Sequence, residues 1–226
     1  MKKKAFSITL YIVASLILAL YIITDLNKTM NLSEMGRVVL LGGCSIFLYF
    51  GGFLLSKYRK DNKPMKVNLW IFLALYLILI VTLTIFDKSW GRTGIKVINS
   101  NIDYKMYFEN SVNLVPFKTI VSYIKQLGGA YSKSNVLFNL FGNLLAFTPL
   151  SVLLPLIFKK QNKLLVFILT MSSIIISIEF IQLLTSTGRF DIDDFILNLL
   201  GALVVYLITM INIIKKTIIN IFLLEK

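Results

Sequence analysis

The residues best suited to chemistry in this chain lie in its last third, inside or beside long apolar stretches. Glu179 is the only ionisable residue between Leu164 and Leu184. In a membrane-spanning helix an ionised side chain at the bilayer centre costs at least about 2.5 kcal/mol, so this glutamate must lie near the surface, pair with another group, face water or be protonated. Gln182 follows on the same helical face at i+3. We therefore predict a functional site at Glu179, with a structural hydrogen bond as the alternative.

An acidic segment follows this stretch, with the sequence Gly188-Arg-Phe-Asp-Ile-Asp-Asp194. Asp191, Asp194 and Asn198 fall at i, i+3 and i+7, so the spacing predicts two carboxylates and an amide on one helical face. Asp193 is expected to point elsewhere. Acids in a first helical turn also complement the helix dipole and cap free N–H groups, which is the structural alternative.

A third polar pattern is a stripe of amides, Asn135, Asn139 and Asn143, spaced four residues apart on one helical face. Three aligned amides inside a membrane helix are not expected to face lipid. They can bind a ligand, or they can join helices through hydrogen bonds worth about 0.6 to 2 kcal/mol each. The sequence leaves both interpretations open.

Short loops join the three helices that carry these groups, which favours antiparallel neighbours whose polar faces converge on one cavity open to the outside. Arg189 lies in the second loop and can pair with a carboxylate or bind an anion such as a phosphate. If the protein is an enzyme, Glu179, Asp191 and Asp194 are the catalytic candidates. The residues expected to bind a ligand are Asn139, Asn143, Gln182, Arg189 and Asn198.

The composition limits the cofactors that such a site can hold. Histidine is absent and Cys44 is the single cysteine, which excludes zinc sites built from His and Cys, Cys-His nucleophiles and intrachain disulfides. No cofactor is predicted and no metal site is assigned. Asp191 and Asp194 could nevertheless hold Mg²⁺ or Ca²⁺ through oxygen ligands.

The elements that position these groups must be membrane helices. The chain has 226 residues, of which 57% are hydrophobic and 15% charged, too apolar for a soluble core with a polar surface. Its net charge of +13 is spread between apolar runs, which favours a membrane surface and argues against a nucleic-acid partner. A helix needs roughly 20 apolar residues to cross a bilayer. Six stretches qualify and predict an all-α transmembrane bundle: 5–23, 38–55, 67–86, 136–158, 164–184 and 195–214.

The distribution of charge predicts the orientation. With the amino terminus inside, the cytoplasmic segments hold most of the lysines and arginines and few acids, so both termini are predicted to be cytoplasmic. The long loop from Asp87 to Asn135 is then external. After Pro116, apolar residues recur at helical spacing with lysines opposite, and this predicts an amphipathic helix at the membrane interface. A surface helix packed on the protein is the alternative. The tail from Thr217 to Leu224 is expected to lie along the other interface.

Four motifs occur in an order that resembles the VanZ-like family of bacterial membrane proteins, named for an accessory protein of teicoplanin resistance. The resemblance covers roughly residues 67–206, which favours a division into two amino-terminal helices with a basic loop, 1–66, and a VanZ-like domain, 67–226. Ser151 stands where the family usually has glycine, and Leu199 where it often has threonine. The matching motifs are Asn113-Leu-Val-Pro-Phe117, Asn139-Leu-Phe-Gly-Asn143 with Phe147-Thr-Pro149-Leu, Glu179-Phe-Ile-Gln182, and Gly188 to Asp194 followed by Asn198 and Gly201.

The resemblance implies a multi-pass protein of the bacterial cytoplasmic membrane with a role at the cell envelope, and it supplies no established reaction. Three functions fit these residues. The cavity could bind a cell-wall precursor or a lipoglycopeptide and contribute to glycopeptide resistance of the teicoplanin type. Alternatively, Glu179 could act as a general acid or base on a lipid or cell-wall precursor, with an aspartate as its partner. In the third, the polar cluster joins helices in a structural or assembly protein.

Overall fold

A computed structural model describes residues 2–27, 32–86, 109–126, 133–185 and 187–224, without the side chains of Ser134 and Asn135. Six of its helical segments are long and apolar enough to cross a membrane, and each overlaps one of the six predicted stretches. The chain is therefore an all-α, polytopic membrane protein. Its helices are α1 Lys2–Leu26, α2 Glu34–Arg59, α3 Lys63–Val81, α4 Lys118–Gln126, α5 Lys133–Ala146, α6 Thr148–Ile157, α7 Leu164–Leu184, α8 Ile192–Met210 and α9 Asn212–Ile221.

Shorter elements complete the description. A π-helical turn, Thr82–Phe86, follows α3, and a 3-10 turn, Lys159–Asn162, joins α6 to α7. Two strands of two residues each, β1 Val112–Asn113 and β2 Phe190–Asp191, pair in parallel. The chain forms two compact units, Met1–Ile80 with Ile211–Lys226 and Val81–Met210.

The first unit is built on the packing of α1 against α2, with α3 completing its core. Its apolar core includes Ala14 from α1, Cys44 and Leu48 from α2, and Leu75 from α3. Removing this apolar surface from polar surroundings is worth about 25 cal/mol per Å² in water. Within a bilayer, close packing of the helices carries more of the stabilisation.

A buried polar cluster joins the three helices of the first unit. Asn68 on α3 is only 1% exposed, and its Nδ2 donates to the Leu48 carbonyl oxygen at 2.6 Å. The Tyr11 hydroxyl on α1 donates to Asn68 Oδ1 at 3.2 Å. Gly52 makes room for this amide, because a Cβ at that position would collide with Asn68 Nδ2. A Cβ at Gly43, by contrast, would meet no atom within 4 Å.

In the second unit, α5, α6 and α7 all pack against α8. The Phe167 ring on α7 stacks on the Tyr206 ring of α8, with centroids 4.1 Å apart. The buried Ser151 hydroxyl on α6 donates to the Ala202 carbonyl oxygen at 2.7 Å. The serine that departs from the family pattern thus ties α6 to α8.

Two predicted spans differ from the structure in their continuity. The fourth is divided at Phe147, because Pro149 lacks an N–H group and occupies the first turn of a new helix, α6. The sixth begins at Ile192 and ends at Met210, earlier at both ends than the predicted 195–214. It ends there because Ile211 adopts an extended backbone conformation and starts α9. Helix α9 also contains part of the tail that was assigned to the interface.

The polar cluster predicts opposite effects for two glycine substitutions in α2. Gly52→Ala forces the Asn68 amide away from its two partners and should lower the free energy of unfolding by about 1 to 3 kcal/mol. Gly43→Ala has free space and gains helix propensity, so its stability should stay equal or rise by up to about 1 kcal/mol. Unfolding of the purified protein in mixed detergent micelles, followed by circular dichroism, measures both. Equal stability of the two variants would contradict the role given to Asn68.

Candidate functional site

Most of the predicted site residues lie toward one end of the second unit, which we call the aspartate end: α7 ends there at Leu184 and α8 begins there at Ile192. Asp191 is the residue before α8, and its Oδ1 accepts a hydrogen bond from the Asp193 N–H at 2.9 Å, as in a helix N-cap. Asp191 also belongs to β2, where it pairs with Asn113 of β1. It therefore lies before the helix and does not share the α8 face predicted for it.

The Asp191 carboxylate is surrounded by hydrogen-bond donors. Asn113 Nδ2 donates to its Oδ1 at 3.0 Å, and the Thr119 hydroxyl donates to its Oδ2 at 2.6 Å. A divalent cation needs oxygen acceptors around it, so the donors that contact Asp191 do not fit the Mg²⁺ or Ca²⁺ considered for this position. Among the described residues, no group of three or more His, Cys, Asp and Glu side chains is placed to hold a metal ion.

Asp193 binds the beginning of α4. Its side chain is 0% exposed and accepts three backbone hydrogen bonds, from the N–H groups of Phe117 at 2.5 Å, Thr119 at 2.6 Å and Ile120 at 3.1 Å. The first N–H groups of a helix have no partner within it, and a carboxylate both satisfies them and complements the helix dipole. We call this arrangement the Asp193 cap. The sequence spacing separates Asp193 from the α8 face of Asp194 and Asn198 but does not indicate this partner.

The Asp193 cap also holds a strained backbone. Phe117 has a φ of 64°, in the left-handed region that residues other than glycine rarely adopt. That conformation costs roughly 1 to 2 kcal/mol. A hydrogen bond to a charged group contributes about 1.5 to 3 kcal/mol, so the bond from the Phe117 N–H to Asp193 offsets the cost.

A second polar contact joins α5 to α8. The Asn143 amide donates to the Asp194 carboxylate. Further along the same α8 face, a Cβ at Gly201 would collide with the Leu144 carbonyl oxygen, so glycine is required where the two backbones approach. Asn198 lies between these two contacts on that face, at i+4 from Asp194.

Like Gln161 in the turn between α6 and α7, Asn198 is a buried amide whose side-chain oxygen has no hydrogen-bond partner among the described residues. It is 3% exposed, and no described residue donates a hydrogen bond to its Oδ1. An unmatched buried acceptor costs about 1 to 3 kcal/mol. Such a group in a native structure calls for an explanation, which can be a water molecule, an ion or a ligand.

Helix α7 contributes two buried polar residues. Glu179 is 6% exposed and follows Ile175 by one turn on the face that continues to Phe167 and its α8 partner. It therefore faces the protein. The Gln182 amide donates to the Thr84 carbonyl oxygen at 2.8 Å and so binds the π-helical turn after α3. Gln182 thus has a structural partner within the chain.

The remaining predicted residues lie nearer the surface. Asn139 is half-buried on α5, one turn before Asn143, and Arg189 is exposed. The side chain of Asn135 lies outside the described residues. Tyr123 on α4 is half-buried near these groups: burial raises the pKa of its phenol above the usual value, the Asp194 and Asp191 carboxylates raise it further, and Arg189 lowers it.

Several residues of this end were not singled out as site residues from the sequence. Asn113 and Thr119 contact Asp191, and Tyr123 lies one turn after Thr119 on the same α4 face. The motif from Asn113 to Phe117 marked the segment without giving it a role. One sequence signal could have indicated a partner for this segment. The residues before and in the first turn of α8 include more aspartates than the N-cap of α8 needs, so a further aspartate can bind another segment.

The Asp193 cap predicts a local effect of Asp193→Asn. The new amide nitrogen cannot accept a hydrogen bond, so at least one N–H of the first α4 turn loses its partner. Amide hydrogen exchange in 117–126 should accelerate roughly tenfold or more, as expected for the loss of one such bond. Mass spectrometry of the peptides that cover α4 measures the change.

Asp61→Asn is the matched control. Asp61 Oδ1 accepts from the Lys63 N–H at the start of α3, and asparagine caps a helix about as well as aspartate. Exchange in α4 should remain at its original rate in this variant. Unchanged α4 exchange in Asp193→Asn would show that the carboxylate does not hold the helix.

Comparison with known proteins identifies the family of the chain. No curated protein and no solved structure matches the chain significantly. The family model described as VanZ/LLP1 matches residues 72–215, which is more than half of the chain and includes every residue of the aspartate end. The chain therefore belongs to the VanZ/LLP1 family, of which it is a multi-pass membrane member.

Proposed function

We propose that this protein acts at the bacterial cell envelope by binding the polar part of an amphiphilic molecule between α5, α7 and α8 at the aspartate end. The candidate ligands are a lipid-linked cell-wall precursor and a lipoglycopeptide of the teicoplanin type, and protection against such antibiotics is the expected outcome. The cytoplasmic membrane is the expected location, with the aspartate end facing outward, as the distribution of lysine and arginine favours.

The unmatched Oδ1 of Asn198 is the observation that carries this proposal. At 1.5 Å of rise per residue, Asn198 lies about 9 Å along α8 from Ile192, and Glu179 lies about 7.5 Å along α7 from Leu184. Both side chains are buried, and α7 packs on α8. The Asn198 oxygen suits a ligand that brings its own donor, and Glu179 places a carboxyl group at similar depth on the adjacent helix.

The chemistry of these groups limits the ligand. A carboxylate and an amide oxygen accept hydrogen bonds from hydroxyl, amide or ammonium groups. Sugars and peptides carry such donors, and both cell-wall precursors and lipoglycopeptides contain them. The exposed Arg189 guanidinium can bind a phosphate or a carboxylate at the other end of the same molecule. The acyl chain would remain in the bilayer.

A second candidate is an enzyme that acts on a lipid or cell-wall precursor. Glu179 is buried whereas Asp194 is only half-buried and contacts the Asn143 amide, so the two carboxylates lie in unlike environments that can divide acid and base roles. The donors around Asp191 favour a positioning role for that residue, which leaves Asp194 as the partner of Glu179. A missing turnover product in Glu179→Gln, found by precursor analysis, would favour this candidate.

Asn198→Leu separates ligand binding from a structural role. Leucine has the same branched outline as asparagine and removes an acceptor that has no donor, so stability should stay equal or rise. Binding should weaken roughly five- to thirtyfold, the equivalent of about 1 to 2 kcal/mol for one hydrogen bond. The ratio of lipoglycopeptide concentrations that inhibit cells with and without the protein measures protection, and Glu179→Gln should lower it as well.

Two controls accompany this comparison. Asn68→Leu removes an amide whose partners are known, so it should lower stability in the way a structural asparagine does. Ser177→Ala removes an exposed hydroxyl on α7 and should leave protection unchanged. Full protection by both Asn198→Leu and Glu179→Gln at normal protein levels would contradict the proposed site. Lost stability in Asn198→Leu would instead favour the structural alternative.

A further inference from the structure

Helix α4 presents three different faces around its axis. At 3.6 residues per turn, each residue turns the helix by about 100°. Thr119, Tyr123 and Gln126 share one side, and all three are half-buried. Thr119 binds Asp191, and α4 packs on α5 and α8. This side is therefore the face that meets the protein.

The apolar face of α4 is turned away from that contact. Val121 and Ile124 lie roughly 100° or more around the axis from Tyr123, and they are 43% and 55% exposed. The segment that precedes the helix adds three more exposed apolar side chains, Leu114, Val115 and Phe117. Contiguous exposed apolar surface of this kind marks a contact with a membrane or with another protein.

A third face carries positive charge. Lys118, Ser122 and Lys125 recur at i, i+4 and i+7 and are exposed. The centre of this face lies roughly 100° around the axis from that of the apolar face, and at a similar angle from the face that meets the protein. A helix at a membrane interface has this arrangement, with apolar side chains in the acyl boundary and lysines at the level of the headgroup phosphates.

The position of α4 along the unit is fixed by the Asp193 cap. The first turn of α4 is bound to the first turn of α8, a helix long enough to cross the bilayer. The start of such a helix lies near the membrane surface, so α4 begins at that level. The apolar face of α4 therefore lies close enough to the acyl chains of the bilayer to contact them.

We infer that α4 and the segment before it form a membrane-embedded ledge: Leu114, Val115, Phe117, Val121 and Ile124 insert into the lipid leaflet at the aspartate end while Lys118 and Lys125 contact phospholipid phosphates. The occupant of the exposed apolar face is thus the bilayer itself. The Asp193 cap couples this ledge to α8. The inference stands without the proposed ligand, because it rests only on the faces of α4 and on its attachment.

Fluorescence quenching in proteoliposomes tests this inference. Cys44 is replaced by alanine, and single cysteines at Ile124, Val121 or Ser122 are labelled with a small environment-sensitive dye. The vesicles contain phosphatidylcholine and phosphatidylglycerol, and quenching by a lipid nitroxide is compared with quenching by aqueous iodide. The ratio of lipid to iodide quenching should be roughly fivefold or more higher at Ile124 and Val121 than at Ser122, as expected for an interfacial helix.

Two results would overturn the inference. If iodide quenches the dye at Ile124 as strongly as at Ser122, the apolar face lies in water. If neither quencher reaches Ile124 or Val121, a second copy of the chain or another protein covers that face. Val121 gives an independent measurement on the same face if the Ile124 variant does not fold, and the size-exclusion profile of each labelled protein reports folding.

Discussion

The aspartate end depends on one interaction, the binding of three backbone N–H groups of the α4 segment by the buried carboxylate of Asp193. A carboxylate with 0% exposure is costly unless donors surround it, and the first turn of a helix supplies donors that have no other partner. The N–H groups of α4 thus offset the burial of the carboxylate, and the carboxylate gives these N–H groups a hydrogen-bond partner. Asp191 extends the arrangement by capping α8 and binding Thr119 of α4, so two neighbouring aspartates join a loop helix to a membrane helix.

This arrangement divides the polar residues by role. Asp191, Asp193 and Gln182 bind groups of the chain itself and hold α4, α8 and the π-helical turn in place. Glu179 and Asn198 are buried farther along α7 and α8 from the aspartate end, and their oxygens are the groups that we propose for a ligand. Gly201 lets the α5 backbone approach α8 closely, one turn along α8 from Asn198. The structural roles thus position the groups that can bind.

The sequence predicts those features that follow from hydropathy and local periodicity. The six spans and α4 depend on apolar spacing that a window of residues already contains. The Asp193 cap cannot be predicted from such a window, because its donors are backbone N–H groups that every sequence contains. They also lie up to 76 residues away along the chain. Asp191 was misplaced because its spacing continues the helical pattern by one turn, whereas the chain pairs there with Asn113. The division at Phe147 was signalled by Pro149, which the hydropathy of the stretch outweighed.

The role of Asp193 in holding α4 is tested most directly by the distance between spin labels on α4 and α7. The labels are attached at Ser122→Cys and Ser173→Cys in the protein without Cys44. Both sites are exposed and lie in the second unit. Double electron–electron resonance should give one narrow distance distribution, which broadens when Asp193 is replaced by alanine. A distribution that stays equally narrow without the carboxylate would contradict the claim that Asp193 holds α4.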